Sequence, residues 1–220
     1  MVHETMGRDR VKNQRYAVDF KFEEQKDKVI ISLLDKKQSK KAKALDCGAG
    51  DGRFARKLKA LGYDAYACDL DVEFYKAKDI PFKKADFSKS LPYPSNTFDV
   101  VICREVIEHV ENQWILMREI NRILKQGGIV IIETPNPHTW ISKFIFLFTD
   151  YFNFFYSDYI GWIGHTHPLF VWNLKRMAKD NYRIEKLFFP FAIIPLLRIK
   201  LPFKSKWFGD SLIAKLRKVK

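Results

Sequence analysis

A chain of 220 residues can form one α/β domain with a full hydrophobic core, and 47% hydrophobic with 30% charged residues excludes a disordered polymer. The formal net charge of +13 and a pI near 9.6 favour anionic partners without choosing among nucleic acid, anionic lipid and phosphorylated substrates. Cys47, Cys68 and Cys103 form neither a CxxC pair nor an even set, which argues against a zinc cluster or a disulfide framework.

The N-terminal residues mix acids and bases without an apolar run of signal-peptide length, so a cytoplasmic location is expected. Phe20 to Leu34 carry apolar residues at helical spacing and predict a helix, after which the basic stretch Lys36 to Lys43 leads into the first strand. From Lys43 to Thr134 short apolar runs recur at Ala44–Cys47, Ala65–Cys68, Phe82–Ala85, Val100–Cys103 and Ile129–Ile132. Between them, Gly52–Leu61 and Glu111–Leu124 are amphipathic at helical period and end near Gly62 and Gly127. Such alternation predicts a parallel sheet covered by helices, with right-handed crossovers.

After Pro135 the aromatic stretch Trp140 to Trp162 begins, broken by Lys143, Asp150 and Asp158, so it is too charged to span a membrane. GHTHPLF follows, then a predicted helix at Val171–Asp180 and a strand at Tyr182–Phe189. Residues 190–208 read as an apolar and basic insertion, and a last strand, Ser211–Leu216, is expected to close the sheet.

Chemistry concentrates in ALDCGAGDGRF, Ala44 to Phe54, a strand, a turn with Gly48, Gly50 and Gly52, and a helix start. Ligands bind at this edge of open parallel sheets. A dinucleotide loop would need GxGxxG with a pyrophosphate at the helix N-terminus, but the third glycine comes one place early, Arg53 stands in its position, and Asp46 and Asp51 would repel phosphate. A ligand without phosphate that bears an ammonium and a sulfonium, as S-adenosylmethionine does, is favoured by the same acids. Asp69, at the end of the second strand, suits ribose hydroxyls, with Asp71 as a competitor of identical chemistry. Asp86, after the third strand, suits an adenine amino group or, alternatively, the cap of the turn at Phe87 and Ser88.

In order and spacing, DxGxGxG at Asp46, YACDLD at Tyr66–Asp71, ADF at Ala85–Phe87 and LPYPSNTFDVVICREVIEHV at Leu91–Val110 resemble successive motifs of class I S-adenosylmethionine-dependent methyltransferases. The EHV ending and the pair Gly127–Gly128 are similar to the small-molecule group that includes the ubiquinone-biosynthesis enzymes. The resemblance covers about Lys43 to Phe189. It implies a Rossmann-like α/β fold: a seven-stranded, mostly parallel sheet with its last strand antiparallel and helices on both faces. It also implies cofactor contacts from Asp46, Gly48, Ala49, Gly50, Gly52, Asp69, Leu70, Asp86, Phe87, Cys103 and Arg104. The organisation then reads as a single domain, 1–220, with an N-terminal helical extension (1–42), a cofactor half (43–134) and an acceptor half (135–220).

Methyl transfer from a sulfonium is an in-line displacement that depends mainly on alignment and exclusion of water. Where the acceptor must lose a proton, Glu108 and His109 are the catalytic candidates, the other reading of His109 being a structural histidine at a helix N-terminus. His165 and His167 have HxH spacing but no third ligand in sequence, so no metal is expected. The aromatic stretch reads equally as a lid over an apolar pocket or as helices packed on the core. Residues 187–208 read either as a peripheral contact with an anionic membrane or as a loop on the sheet. The expected activity is methyl transfer to a small, apolar or lipid-linked acceptor. The alternatives are an RNA methyltransferase, disfavoured because the fourth strand ends in CREV without an NPPY-like motif, and a non-catalytic cofactor-binding subunit.

Overall fold

The computed structural model describes residues 20–35, 41–155, 165–190, 192–194, 199–201 and 205–220. Part of the basic stretch 36–43, the aromatic residues 156–164 and, within the insertion 190–208, residues 191, 195–198 and 202–204 lie outside the described residues.

Nine strands are described: β1 (Lys43–Cys47), β2 (Asp64–Asp69), β3 (Phe82–Lys84), β4 (Phe98–Arg104), β5 (Leu124–Pro135), β6 (Tyr182–Phe188), β7 (Ala192–Ile194), β8 (Ile199–Leu201) and β9 (Ser211–Lys218). Seven of them form one sheet in the order β3-β2-β1-β4-β5-β9-β6, while β7 and β8 make a separate hairpin inside the insertion. Neighbours from β3 to β5 pair in parallel, and β9 is antiparallel to both β5 and β6. The last strand completes the seven-stranded sheet and is antiparallel, as expected, and it does so from inside, inserted between β5 and β6. Its near-continuous burial, Ser211 to Leu216, is what an interior strand covered on both faces requires.

The helices are α1 (Phe20–Leu33), α2 (Arg53–Ala60), α3 (Gln113–Ile123), α4 (Trp140–Thr149) and α5 (Val171–Ala178). Because strand side chains alternate between faces, β1 sends Leu45 and Cys47 into one core and Ala44 into the other. The first core packs against α3 through Leu116 and Ile120 and against α5 through Leu174. The second packs against α1 through Ile30 and α2 through Phe54 and Leu58. Asn112 starts α3 by accepting the Trp114 and Ile115 amides at 3.1 and 3.2 Å.

Gly127 and Gly128 do not end a helix. α3 stops at Ile123, β5 begins at Leu124, and the glycines form an irregularity where pairing jumps from Phe98↔Leu124 to Val100↔Ile129. A Cβ on Gly128 would stand 2.9 Å from the Lys125 carbonyl and 3.1 Å from that of Asp99, which explains the residue without any capping role.

Helix α1 is tied to the sheet by buried charge. Glu133, fully buried on β5, meets Lys26 at 2.8 Å and Arg104 at 2.7 Å, and Arg104 also reaches Asp27 at 2.7 Å and Glu23 at 2.9 Å. Burial alone would raise the Glu133 carboxyl, but the two cations hold it down at about 2.

Candidate functional site

Strand β1 carries Asp46 to the C-terminal edge of the sheet, where the chain turns through Gly48, Ala49 and Gly50 and enters α2 after Gly52. Gly48 has φ +87°, and a Cβ there would lie 2.1 Å from Cγ2 of Val106, so the turn admits only glycine. The amides of this turn are used within the protein. Gly48 and Ala49 donate to the Cys68 carbonyl at 2.9 and 3.0 Å, Gly52 donates to the Ala49 carbonyl at 2.8 Å, and Arg53 donates to Asp51 Oδ1 at 3.0 Å. Gly50 donates to Asp69 Oδ2 at 2.8 Å. A pyrophosphate seat needs such amides turned toward the ligand, together with a positive helix end. Here the amides already have partners, and carboxylates stand where the phosphates would go.

An open cleft of about 560 Å³ lies beside the turn, lined by Gly50, Asp69, Leu70, Val72, Phe74 and Lys84 among others. Asp69 closes β2 and accepts the amides of Gly50 and Asp71, the latter at 3.0 Å, which leaves carboxylate lone pairs for further donors such as sugar hydroxyls. Its competitor Asp71 spends Oδ1 on the amides of Glu73 and Phe74 at 3.1 and 3.3 Å, holding its own turn. Leu70 is 55% exposed on the cleft. Phe74 and Val72 escaped the sequence reading, although the apolar VEF that follows the acidic DLD was the available signal.

Beneath the turn, Asp46 is only 2% exposed, and among the described residues its Oδ2 has no hydrogen-bond partner. Burial pushes its carboxyl up to about 7, against the opposing pull of Arg104 and the Ala55 amide. A buried acceptor without a partner is costly, and a cationic ligand group at this edge would relieve it.

The remaining expected contacts divide. Asp86 binds the Ser88 amide at 3.0 Å and Lys89 at 3.0 Å, so the turn-capping role is formed, and the Ser88 hydroxyl and Lys89 hold it down at about 2. Phe87 packs against the core beside it. Cys103 presents no surface to a ligand: it is 0% exposed and lies beside Cys47 in the core. Arg104 turns away from the cleft toward α1, with its guanidinium 4.9 Å from the Phe54 ring centroid and its donors taken by Glu23, Asp27 and Glu133.

A second cluster forms where β4 and β5 end. Glu108 is fully buried and accepts the Thr134 hydroxyl at 3.0 Å, and the Glu108 carbonyl accepts the amides of Thr166 and His167 at 2.9 and 3.1 Å. This return of the chain brings His165 Nε2 to 3.9 Å from Glu108 Oε1 and stacks the His109 and His165 rings edge to face at 4.7 Å. His165 Nδ1 lies 2.8 Å from the Phe154 carbonyl, which fixes its proton on that nitrogen and leaves Nε2 bare toward Glu108 in the neutral ring. Burial raises the Glu108 carboxyl well above its usual range, with Glu105 adding to the effect, and burial lowers His165. Both shifts favour a neutral acid facing a neutral imidazole, an arrangement suited to passing a proton.

His165 thus pairs with Glu108 and His109 rather than with His167, whose Nδ1 is 2.9 Å from the Thr166 hydroxyl. One ligand atom from each of Glu108, His109 and His165 falls within 4.8 Å of the others, so the trio could close on a divalent cation only if Glu108 gave up its proton.

Residues 45–132 match the methyltransferase domain family. An uncharacterised protein of Methanocaldococcus jannaschii is 37% identical over 121 residues, covering 53% of this chain and 52% of that protein. A ubiquinone biosynthesis O-methyltransferase of Caulobacter vibrioides is 32% identical over 101 residues, covering 42% of this chain and 40% of that enzyme. The matched region thus spans about half or less of these curated relatives. Among solved structures, an S-adenosylmethionine-dependent methyltransferase from Mesorhizobium loti superposes with a TM-score of 0.61 at 18% identity, covering 86% of this chain and 95% of that one, a likeness of fold.

Proposed function

We propose that the chain is a class I S-adenosylmethionine-dependent methyltransferase that transfers a methyl group to a small acceptor that is apolar or lipid-linked, a reading supported by the matching methyltransferase domain family, the relatives and the shared fold. The observation that carries the reading is the glycine turn whose amides are spent internally while Asp46 and Asp69 offer acceptors to a cation and to hydroxyls.

S-adenosylmethionine, when bound, supplies a methyl group already activated as a sulfonium, so no metal or strong base is needed to create the electrophile. Asp69 would hold the ribose hydroxyls, Asp46 would face the cationic end, and Gly48 and Gly50 keep the wall free of side chains. Leu70, Val72 and Phe74 give an apolar surface for a base to lie against. Asp86 is within the same edge and could serve the adenine amino group with the lone pairs its turn leaves free.

On the acceptor side, burial keeps Glu108 and His165 neutral side by side, and His109, exposed beside them, would receive an acceptor proton and share it with the pair. The aromatic helix α4 starts at Trp140, shortly after the β5 residue Thr134 that bonds Glu108, which supports an apolar acceptor. The relatives that include a ubiquinone biosynthesis O-methyltransferase are compatible with such an acceptor.

Incubation with methyl-labelled S-adenosylmethionine and fractionated cell extract tests the reading. Label is expected in the organic-soluble fraction. Label confined to RNA would refute the acceptor class, and failure to bind S-adenosylhomocysteine would refute the cofactor.

A further inference from the structure

Helix α4 has its amphipathicity reversed. Its buried residue is Ser142, whereas Phe144, Leu147 and Phe148 are 59%, 74% and 70% exposed. The serine is fixed inward: its amide donates to Thr139 Oγ1 at 3.1 Å and its hydroxyl accepts the Asn153 amide at 3.1 Å. A helix locked in that orientation turns its phenylalanines to the outside, the opposite of what burial in its own core would produce.

The apolar face extends beyond the helix on both sides. Phe146 stacks on Phe152 at 4.7 Å, Phe152 meets Phe170 at 5.2 Å, and Phe170 stacks with Trp172 at 6.4 Å, the last 55% exposed. On the other flank, the Trp140 amide donates to the Trp207 carbonyl at 3.0 Å, and Trp207 is 52% exposed. Cations surround this surface: Lys143 Nζ lies 3.4 Å from the Trp207 ring centroid, Arg176 lies 6.0 Å from that of Trp172, and Lys206 is exposed beside Trp207. The one acid at the helix itself is Asp150, in its C-cap.

Phenylalanine and leucine at the centre, tryptophans at the margin and lysine or arginine at the rim match the layering of a bilayer interface, where indoles sit at headgroup depth and cations meet anionic lipid. A chain with net charge +13 repels its own copies and is drawn to a negative surface. Ten residues of helix reach about 15 Å, enough to lie in an interface and too short to cross the membrane. We infer that the exposed face of α4, flanked by Trp172 and Trp207, docks on an anionic lipid bilayer and sets the acceptor-side mouth against it. The inference deepens the apolar-acceptor reading, on which its purpose rests. Lys206 and Trp207 belong to the stretch 187–208 from which the sequence suggests membrane contact, and the structure adds α4 as the larger part of the surface.

Co-sedimentation of the full chain with vesicles of phosphatidylcholine and phosphatidylserine, compared with phosphatidylcholine alone, reads the docking without turnover, so its failure is separate from failure of the methyl-transfer reading. Binding is expected to the anionic vesicles only, with release in high salt. The triple variant Phe144→Ser, Leu147→Ser, Phe148→Ser is expected to lose at least about tenfold in partitioning while keeping wild-type affinity for S-adenosylhomocysteine. The pair Lys143→Glu and Lys206→Glu should weaken binding too, and brominated lipid should quench tryptophan fluorescence in the unaltered protein. Absence of sedimentation at low salt, absence of quenching, or equal sedimentation of the triple variant overturns the inference. A wild-type dimer that the triple variant converts to monomer would assign the face to a second copy and also overturn it.

Discussion

Replacing Asp46 by Asn should make the ligand-free protein more stable at alkaline than at acid pH relative to wild type, while weakening its binding site. Burial lifts the Asp46 carboxyl from 3.8 to about 7, so the folded state binds this proton more tightly than the unfolded chain does. Stability attributable to the group is therefore greatest below the unfolded value and falls as pH rises through the window up to about 7. With 1.36 kcal/mol per unit, the ionised carboxylate costs the folded state about 4 kcal/mol above that window, and about 2 to 3 kcal/mol of this accrues between about pH 5 and pH 8. Asn does not titrate, and every other group is common to both proteins. The difference in unfolding free energy between Asp46→Asn and wild type should shift by about 2 to 3 kcal/mol in favour of the variant over that range, as read by urea denaturation without ligand. The amide NH₂ at the orphaned position lowers the variant at both pH values by about 1 to 3 kcal/mol, which changes the offset and not the slope. A difference that does not change with pH would refute the burial argument.

Further outcomes follow from other groups. Arg104→Leu leaves buried Glu133 and Asp27 short of a partner and should destabilise the fold by about 3 kcal/mol or more, measured by chemical denaturation, an effect that a residue acting only on the cofactor would not show. Glu108→Gln keeps the hydrogen bond from Thr134 but removes the proton exchange with His165, so kcat should fall about a hundredfold or more with S-adenosylhomocysteine affinity unchanged. An unaltered kcat would make Glu108 a structural residue.

The cofactor half was legible because its signals are local. Apolar runs such as Val100–Cys103 are buried on both faces and so lack alternation, and glycines at Gly48, Gly50 and Gly52 mark a turn that must approach a ligand. What escaped depends on distant parts of the chain. Gly127 and Gly128 look like a helix end in sequence, yet the crowding at Gly128 comes from Asp99 on the neighbouring strand as well as from Lys125. Arg104 adjoins the site in sequence, but its partners lie on α1 and β5, 29 to 81 residues away. His165 shares an HxH spacing with His167 and acquires its true partner only because the chain folds back onto the Glu108 carbonyl, 58 residues earlier. In α4 the apolar residues fit a lid and a core-packed helix equally, and the inward hydrogen bonds of Ser142, made with Thr139 and Asn153, turn Phe144, Leu147 and Phe148 outward.

Titration calorimetry of the full chain with S-adenosylhomocysteine, alone and in competition with NAD, tests the cofactor assignment most directly. One nucleoside should bind per chain, NAD should not displace it, and Asp69→Ala, which removes the carboxylate that anchors Gly50 and faces the cleft, should weaken binding by about tenfold or more. Displacement by NAD, or unchanged affinity in the variant, would contradict the account.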